Sequence, residues 1–191
     1  RLDGNIGYVR FDFFVPTDEA KNKAAAAMQF VADCDVIIFD MRYNGGGSPE
    51  MIQFITSYLF DSRTHLNDMI DREGKVVEEF WTLDDVPGKR VPSTTRVFVL
   101  TSGRTFSGAE EFTYNLKNLK RATVIGETTG GGAHPIQPAR VSDRLVVTVP
   151  FMRANNPISK TNWEGTGVAP DVQCAAADAL DKAIELAKSP E

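Results

Sequence analysis

Ser107 sits in the segment TSGRTFSGAEEF (residues 101–112), between a strand-like run and a helix-like run. Two kinds of chemistry suit a hydroxyl there. Ser107, Gly108, Ala109 and Glu110 spell S-x-x-E, a capping box in which hydroxyl and carboxylate satisfy free amides of a helix's first turn. Such a cap contributes roughly 1 kcal/mol and requires no reactivity. A serine at the same junction, followed at once by Gly108, also presents an exposed hydroxyl beside unpaired backbone amides that could hold an oxyanion. The local sequence leaves both open.

A second reactive-looking stretch is DMRYNGGGSPE (residues 40–50), where an apolar run ends in Asp40 and Arg42 and three glycines precede a helix signal. Glycine allows a plain mobile turn. It also lets the backbone N–H groups of Gly46 and Gly47 approach a substrate carbonyl with no side chain between. A phosphate cradle is disfavoured, because no lysine follows the glycines in a G-x-x-x-x-G-K pattern. Asp40 and Arg42 are read as a charge-assisted pair that organises the loop.

Glu164, in NWEGTGVAPD, suits a site carboxylate and equally a turn anchor that accepts from backbone amides. His134, in TTGGGAHP, is the one histidine that a glycine loop could bring towards Ser107; the bland alternative is a solvated or packing residue. His65 lies in a charged insertion and is given no role. Neither the two histidines nor Cys34 and Cys174 show metal-ligand spacing, and whether the cysteines pair is left open. No metal and no cofactor is implied.

The elements that must position these residues alternate between strand and helix. NIGYVRFDFF (5–14) reads as a strand ended by Pro16, and Thr17 or Asp18 caps a helix to about Cys34 with Ala20, Ala24, Ala27, Met28 and Val31 as its apolar stripe. DVIIFDMR (35–42) has the unbroken apolar run of a strand covered on both faces, which implies a parallel sheet. Ser48 caps, and Pro49 opens, a second helix buried through Met51, Ile52, Ile55 and Leu59. Residues 61–95 are turn-rich, with strand signals at Met69–Ile70 and Val76–Leu83 that suggest a hairpin. RVFVLTS (96–102), a helix from Ser107 to Leu119 and ATVIGE (122–127) make a strand, helix, strand unit. IQPARV and LVVTVPF are two further strands, and residues 175–187 form a closing helix with Ala176, Leu180, Ala183, Ile184 and Ala187 on its stripe. The fold class is α/β.

The 191 residues favour one domain by length. With 42% apolar and 25% charged residues the chain matches an ordinary globular protein. No apolar run approaches the roughly 20 residues of a membrane helix. A net charge of −5 offers no basic stripe for phosphates, so nucleic acid is excluded as a partner. The chain starts at Arg1 without a signal-like segment, so residues 1–191 are expected to be one domain excised from a longer chain whose N-terminal part is missing.

Taken in order, DMRYNGGG, VFVLTS, RTFSGAEEF, RATVIGETTGGG and NWEGTGVAPDV resemble the S41 peptidases, the tail-specific or C-terminal processing proteases, in particular the branch that includes interphotoreceptor retinoid-binding protein. The resemblance spans nearly the whole chain. It implies a crotonase or ClpP-like core of mixed, largely parallel strands flanked by helices, an extracytoplasmic location, a peptide or protein substrate, and a serine nucleophile at the position of Ser107. The family's processing proteases use a downstream lysine as general base, but the matching region here is Gly132, 25 residues beyond Ser107, with no lysine nearby. A second branch, resembling tricorn and the chlamydial protease-like factor, uses serine, an N-terminal histidine and a later glutamate. Glu164, 57 residues beyond Ser107, matches that glutamate.

The resemblance therefore implies a serine peptidase in which Ser107 forms an acyl-enzyme. Gly46 or Gly47 together with Gly108 would supply the oxyanion amides, and Glu164 would orient a histidine from the missing N-terminal part or, within this chain, His134. The rival expectation is a noncatalytic module for retinoids or fatty acids, supported by the absent lysine, with Phe13, Phe14 and Phe106 as lining residues unless they are core. An acyl-CoA enzyme would need a basic patch that the sequence lacks.

Overall fold

The computed structural model describes residues 1–189. It opens with strand β1 (Ile6–Arg10), helix α1 (Asp18–Val31), strand β2 (Val36–Asp40) and helix α2 (Pro49–Ser57). Strands β3 (His65–Ile70) and β4 (Val76–Trp81) follow, then β5 (Arg96–Thr101), helix α3 (Gly108–Asn118) and β6 (Thr123–Gly126). Strands β7 (Ile136–Ser142), β8 (Leu145–Pro150), β9 (Arg153–Asn155) and β10 (Val172–Gln173) lead to helix α4 (Ala179–Lys188).

The main sheet has the order β1-β2-β5-β6-β10 and all its pairings are parallel. A parallel sheet of this kind must be covered on both faces, and alternation along β2 shows how. Ile37 and Phe39 face a core shared with Met28 and Val31 of α1, Ile52 and Ile55 of α2, and Ala109, Phe112 and Leu116 of α3. Val36 and Ile38 face the opposite core, which α4 closes with Ala179 and Ala183. β4, β3 and β9 form a separate antiparallel sheet, while among the described residues β7 and β8 pair only with each other.

Registers of Arg10 with Asp40 and of Asp40 with Leu100 bring the carboxyl ends of β1, β2 and β5 to one level. Ligands of open α/β sheets bind outside that edge. The loops that leave it after β1, β2 and β5 are residues 11–15, the glycine loop 43–47 and the segment 102–107 that enters α3.

Several boundaries differ from the sequence reading. β1 stops at Arg10, because Phe11–Val15 turn away to run beside the glycine loop, where Phe14 forms a parallel bridge with Gly47. α1 ends at Val31 and α4 begins at Ala179, so Cys34 and Ala176 lie outside the helices assigned to them. α3 spans Gly108–Asn118, which places Ser107 and Leu119 at its flanking caps. Both helix starts read from Thr17 and Ser48 are formed, their hydroxyls accepting from Ala20 and Met51 amides at 3.2 and 3.4 Å. The expected hairpin in 61–95 is present, and β9 extends it into a three-stranded sheet. Cys34 and Cys174 are both free thiols.

Candidate active site

Ser107 combines an exposed position with φ +53° and ψ −121°. A non-glycine residue in such a region stores about 1–3 kcal/mol of strain and persists only when its surroundings impose it. The capping-box arrangement is present, and its carboxylate arm is formed: the Ser107 N–H donates to Glu110 Oε2 at 2.8 Å. The hydroxyl arm makes no side-chain cap hydrogen bond. Instead the Glu110 and Glu111 amides donate to the Ser107 carbonyl, at 2.9 and 3.0 Å.

The glycine loop packs directly on this serine. A methyl group added at Gly46 would lie 2.8 Å from Ser107 Cβ and 2.7 Å from the Gly108 nitrogen. One added at Gly108 would lie 3.0 Å from the Gly47 nitrogen. Glycine at these places therefore serves close backbone approach. The Gly46 N–H is not available to a ligand, because Asn44 Oδ1 accepts it at 2.8 Å. The amides of Gly47 and Gly108 have no acceptor among the described residues.

Asn44 holds the loop and was missed by sequence reasoning. Fully buried, it donates from Nδ2 to the Phe11 carbonyl at 2.9 Å, and its own carbonyl accepts from Phe106 N–H at 3.1 Å. Its position just before three glycines was the available signal. Asp40 and Arg42 form the expected pair, with Arg42 Nε and Nη2 on the two carboxylate oxygens at 2.9 and 2.7 Å. Arg42 also donates to the Ala176 carbonyl at 2.7 Å, which ties the loop's base to the segment before α4. Burial alone would raise the Asp40 pKa, but hydrogen bonds from Arg42 and from the Tyr8 hydroxyl outweigh it and hold the carboxyl below its ordinary value.

Glu110 does more than cap a helix. Wholly buried, it accepts from Thr129 Oγ1 at 2.5 Å, Gly131 N at 2.6 Å and Gly132 N at 2.9 Å, besides Ser107 N. One carboxylate thus fastens the nucleophile candidate to the second glycine loop. The next amide along that loop, Ala133 N, donates to Glu164 Oε2 at 2.6 Å. Glu164 Oε2 is in turn 3.9 Å from His134 Nδ1, longer than a hydrogen bond, with both side chains partly open to solvent. The structure therefore brings Glu164, His134 and the 129–133 loop together, and links that loop to Ser107 through Glu110. Glu164 anchors the loop and faces a histidine at once.

His134 also borders a groove of about 600 Å³, between the β3–β4 turn and residues 150–153. His65 lies elsewhere, stacked on Trp81 at 4.1 Å and bonded to Asp68 at 2.6 Å. Phe14 is core, whereas Phe13 and Phe106 are 55% and 45% exposed, so two of the three phenylalanines read as core or pocket lining reach the surface. Phe106 lies under the second loop, where a methyl on Gly132 would come 2.4 Å from its ring. A separate apolar cavity of about 280 Å³ lies where β1, α1 and α2 meet, lined by Val9, Phe11, Phe13, Ala24, Met28 and Phe39 among others. Among the described residues, no group of three or more His, Cys, Asp or Glu is placed to hold a metal, and no helix is long and apolar enough to cross a membrane.

Comparison with known proteins gives consistent matches. The model of peptidase family S41 matches residues 5–174. A chloroplastic C-terminal processing peptidase of Tetradesmus obliquus is 30% identical over 173 residues, covering 88% of this chain and 35% of that protein. Tricorn protease of Thermoplasma volcanium is 27% identical over 175 residues, 90% of this chain and 15% of that one. The solved photosystem II D1 C-terminal processing protease superposes with a TM-score of 0.72 at 25% identity, over 92% of this chain and 45% of the other. The chain thus spans about a third of the length of the first of these relatives.

Proposed function

The chain belongs to peptidase family S41, and on that premise we propose that it is the catalytic core of a serine peptidase in which Ser107 attacks a peptide carbonyl. The observation that carries the reading is the packing of the glycine loop on the strained, exposed Ser107, which leaves the amides of Gly47 and Gly108 without an acceptor among the described residues beside the hydroxyl-bearing residue.

In the reaction, Ser107 Oγ bonds to the carbonyl carbon as its proton passes to an imidazole. The carbonyl oxygen becomes an oxyanion held by Gly47 N and Gly108 N, donors whose individual loss costs about 2.7–4 kcal/mol in related chemistry. Gly46 contributes the room for this approach rather than a donor. Return of the proton to the leaving amine releases it, and water then hydrolyses the acyl-enzyme. His134, with Glu164 at 3.9 Å, is the imidazole that this chain offers; the resemblance to the Ser-His-Glu branch favours a histidine from sequence outside these 191 residues. Substrates are peptides or proteins, and the location is extracytoplasmic, in keeping with the chloroplastic processing peptidases it resembles.

A fluorophosphonate that labels reactive serines tests the reading. Labelling is expected on the unmodified protein and lost by more than about a thousandfold in Ser107→Ala. Persistence in Ser107→Ala overturns the nucleophile. His134→Ala then separates the two bases: loss of labelling with an unchanged fold assigns His134, and retained labelling assigns a histidine elsewhere.

The second reading, a noncatalytic module for an apolar ligand, has the 280 Å³ cavity in its favour. Absence of labelling together with retention of a fatty acid there supports that alternative.

A further inference from the structure

Arg10 is the last residue of β1, Tyr43 follows the end of β2 by three positions, and Arg104 follows the end of β5 by three. The sheet order sets β2 between β1 and β5, so these side chains meet at the carboxyl edge beside the glycine loop. The guanidinium carbon of Arg10 is 4.7 Å from the Tyr43 ring centroid, and that of Arg104 is 5.3 Å from the same centroid. Tyr43 is 46% exposed, so the stack faces solvent.

Fastening a tyrosine ring needs at most one cation, worth about 0.5–1 kcal/mol at an exposed site. Two like charges held over one ring repel each other, and the arrangement is relieved by an anion. Among the described residues the acceptor that Arg10 meets is Asp12, through Nε at 3.2 Å, with both side chains well exposed. The rest of its fork, and the whole Arg104 guanidinium, meet no acceptor among the described residues. In a chain of net charge −5, two guanidinium groups on one ring, of which Arg104 has no ion partner among the described residues, are not a general property of the surface.

Its location gives the charge a use. Tyr43 is three residues before Gly46, and Arg104 is three before Ser107. We propose that Arg10, Tyr43 and Arg104 form an anion subsite that grips a carboxylate of the peptide substrate a few residues from the bond to be cut. The planar donor forks suit a bidentate grip on a carboxylate, and the ring keeps them oriented. Either an Asp or Glu side chain or the free end of the peptide supplies that group. This rests on the peptidase reading and adds a substrate class to it.

Calorimetric binding of two matched peptide pairs to the Ser107→Ala protein tests the subsite. One pair exchanges an internal Glu for Gln, with both ends blocked; the other exchanges a free C-terminal carboxylate for an amide, with no acidic side chain. Arg104→Gln in the same background is expected to weaken the carboxylate-bearing member about tenfold, as loss of a charge-assisted contact implies. Its amide twin and the thermal midpoint should not move. A loss confined to the first pair identifies a side chain, and one confined to the second identifies the peptide terminus; both support the subsite. Equal weakening of both twins, no weakening, or no measurable binding of any peptide overturns it. In the protein with Ser107 intact, KM should rise for the same member while kcat holds. Since the calorimetry needs no turnover, failure of the subsite is distinguishable from failure of the Ser107 assignment.

Discussion

Strands β2 and β8 carry similar sequences, VIIFD and LVVTVP, and have opposite surroundings. All five residues of β2 are buried, between β1 and β5 and between two apolar clusters. Among the described residues β8 has one strand neighbour, β7, and leaves Leu145, Val146 and Val147 at 50%, 59% and 39% exposure. The contrast teaches that an apolar β-branched run specifies a strand and leaves its burial to partners far away in the chain. Cohesion should therefore reside in the main sheet, since a two-stranded ribbon is marginal alone in water.

The largest expected effect is in the first region. Phe112 is wholly buried, and its ring lies 5.2 Å from that of Phe39 on β2 and 5.7 Å from that of Phe14. Phe112→Ala should cost about 3–5 kcal/mol in urea unfolding. A loss below about 1 kcal/mol would break the assignment of cohesion to this core. The same change should loosen the Phe14 backbone that pins Gly47, so labelling of Ser107 should fall too.

A second effect, of opposite sign, comes from a charge held inside the α2–α3 side of the molecule. Burial pushes the Glu111 carboxyl up to about 7, with Glu50 and Glu78 adding to the rise and Asn67 opposing it. The folded protein thus keeps a proton that the unfolded chain has released between pH 4.5 and about 7. Stability should fall across that window as pH rises, and stay lower above it. Glu111→Gln should be more stable at pH 8 by on the order of 2–3 kcal/mol, and no different below pH 4.5. Urea midpoints at the two pH values check both halves, and a constant difference would sink the assignment.

What could be read beforehand follows the same division. The strand, helix, strand order was legible because β2, α2, β5 and α3 announce themselves by local pattern: an unbroken apolar run, a Ser48-Pro49 start and a helical stripe through Ala109, Phe112 and Leu116. The end of β1 was not, because Phe11–Phe14 look like more strand and turn away only to bond the glycine loop. At the candidate site, the motif around Ser107 fitted a helix cap as well as a nucleophile and only the family resemblance singled it out, and the close approach of Gly46 to it came with the structure. Glu110 as the tie to Gly131 and Gly132 was not legible, since that role depends on a loop some 20 residues away folding back onto one carboxylate. The occupied amide of Gly46 was equally hidden, because Asn44 could have pointed anywhere until the loop closed.

The smallest expected effect belongs to the β7–β8 ribbon. Leu145→Ser and Val146→Thr remove apolar side chains that are half or more exposed to water already, so little transfer free energy is lost. Each should change urea stability by no more than about 0.5 kcal/mol. Backbone amides of β8 should exchange with solvent through local opening, while those of β2 should require global unfolding. Both variants should also reduce self-association, because a free, valine-rich edge is a template for another strand. Should either substitution instead cost more than about 1 kcal/mol at working concentrations and less on dilution, the ribbon is covered in solution. The contrast between β2 and β8 would then be one of which partner buries the strand, rather than of whether it is buried.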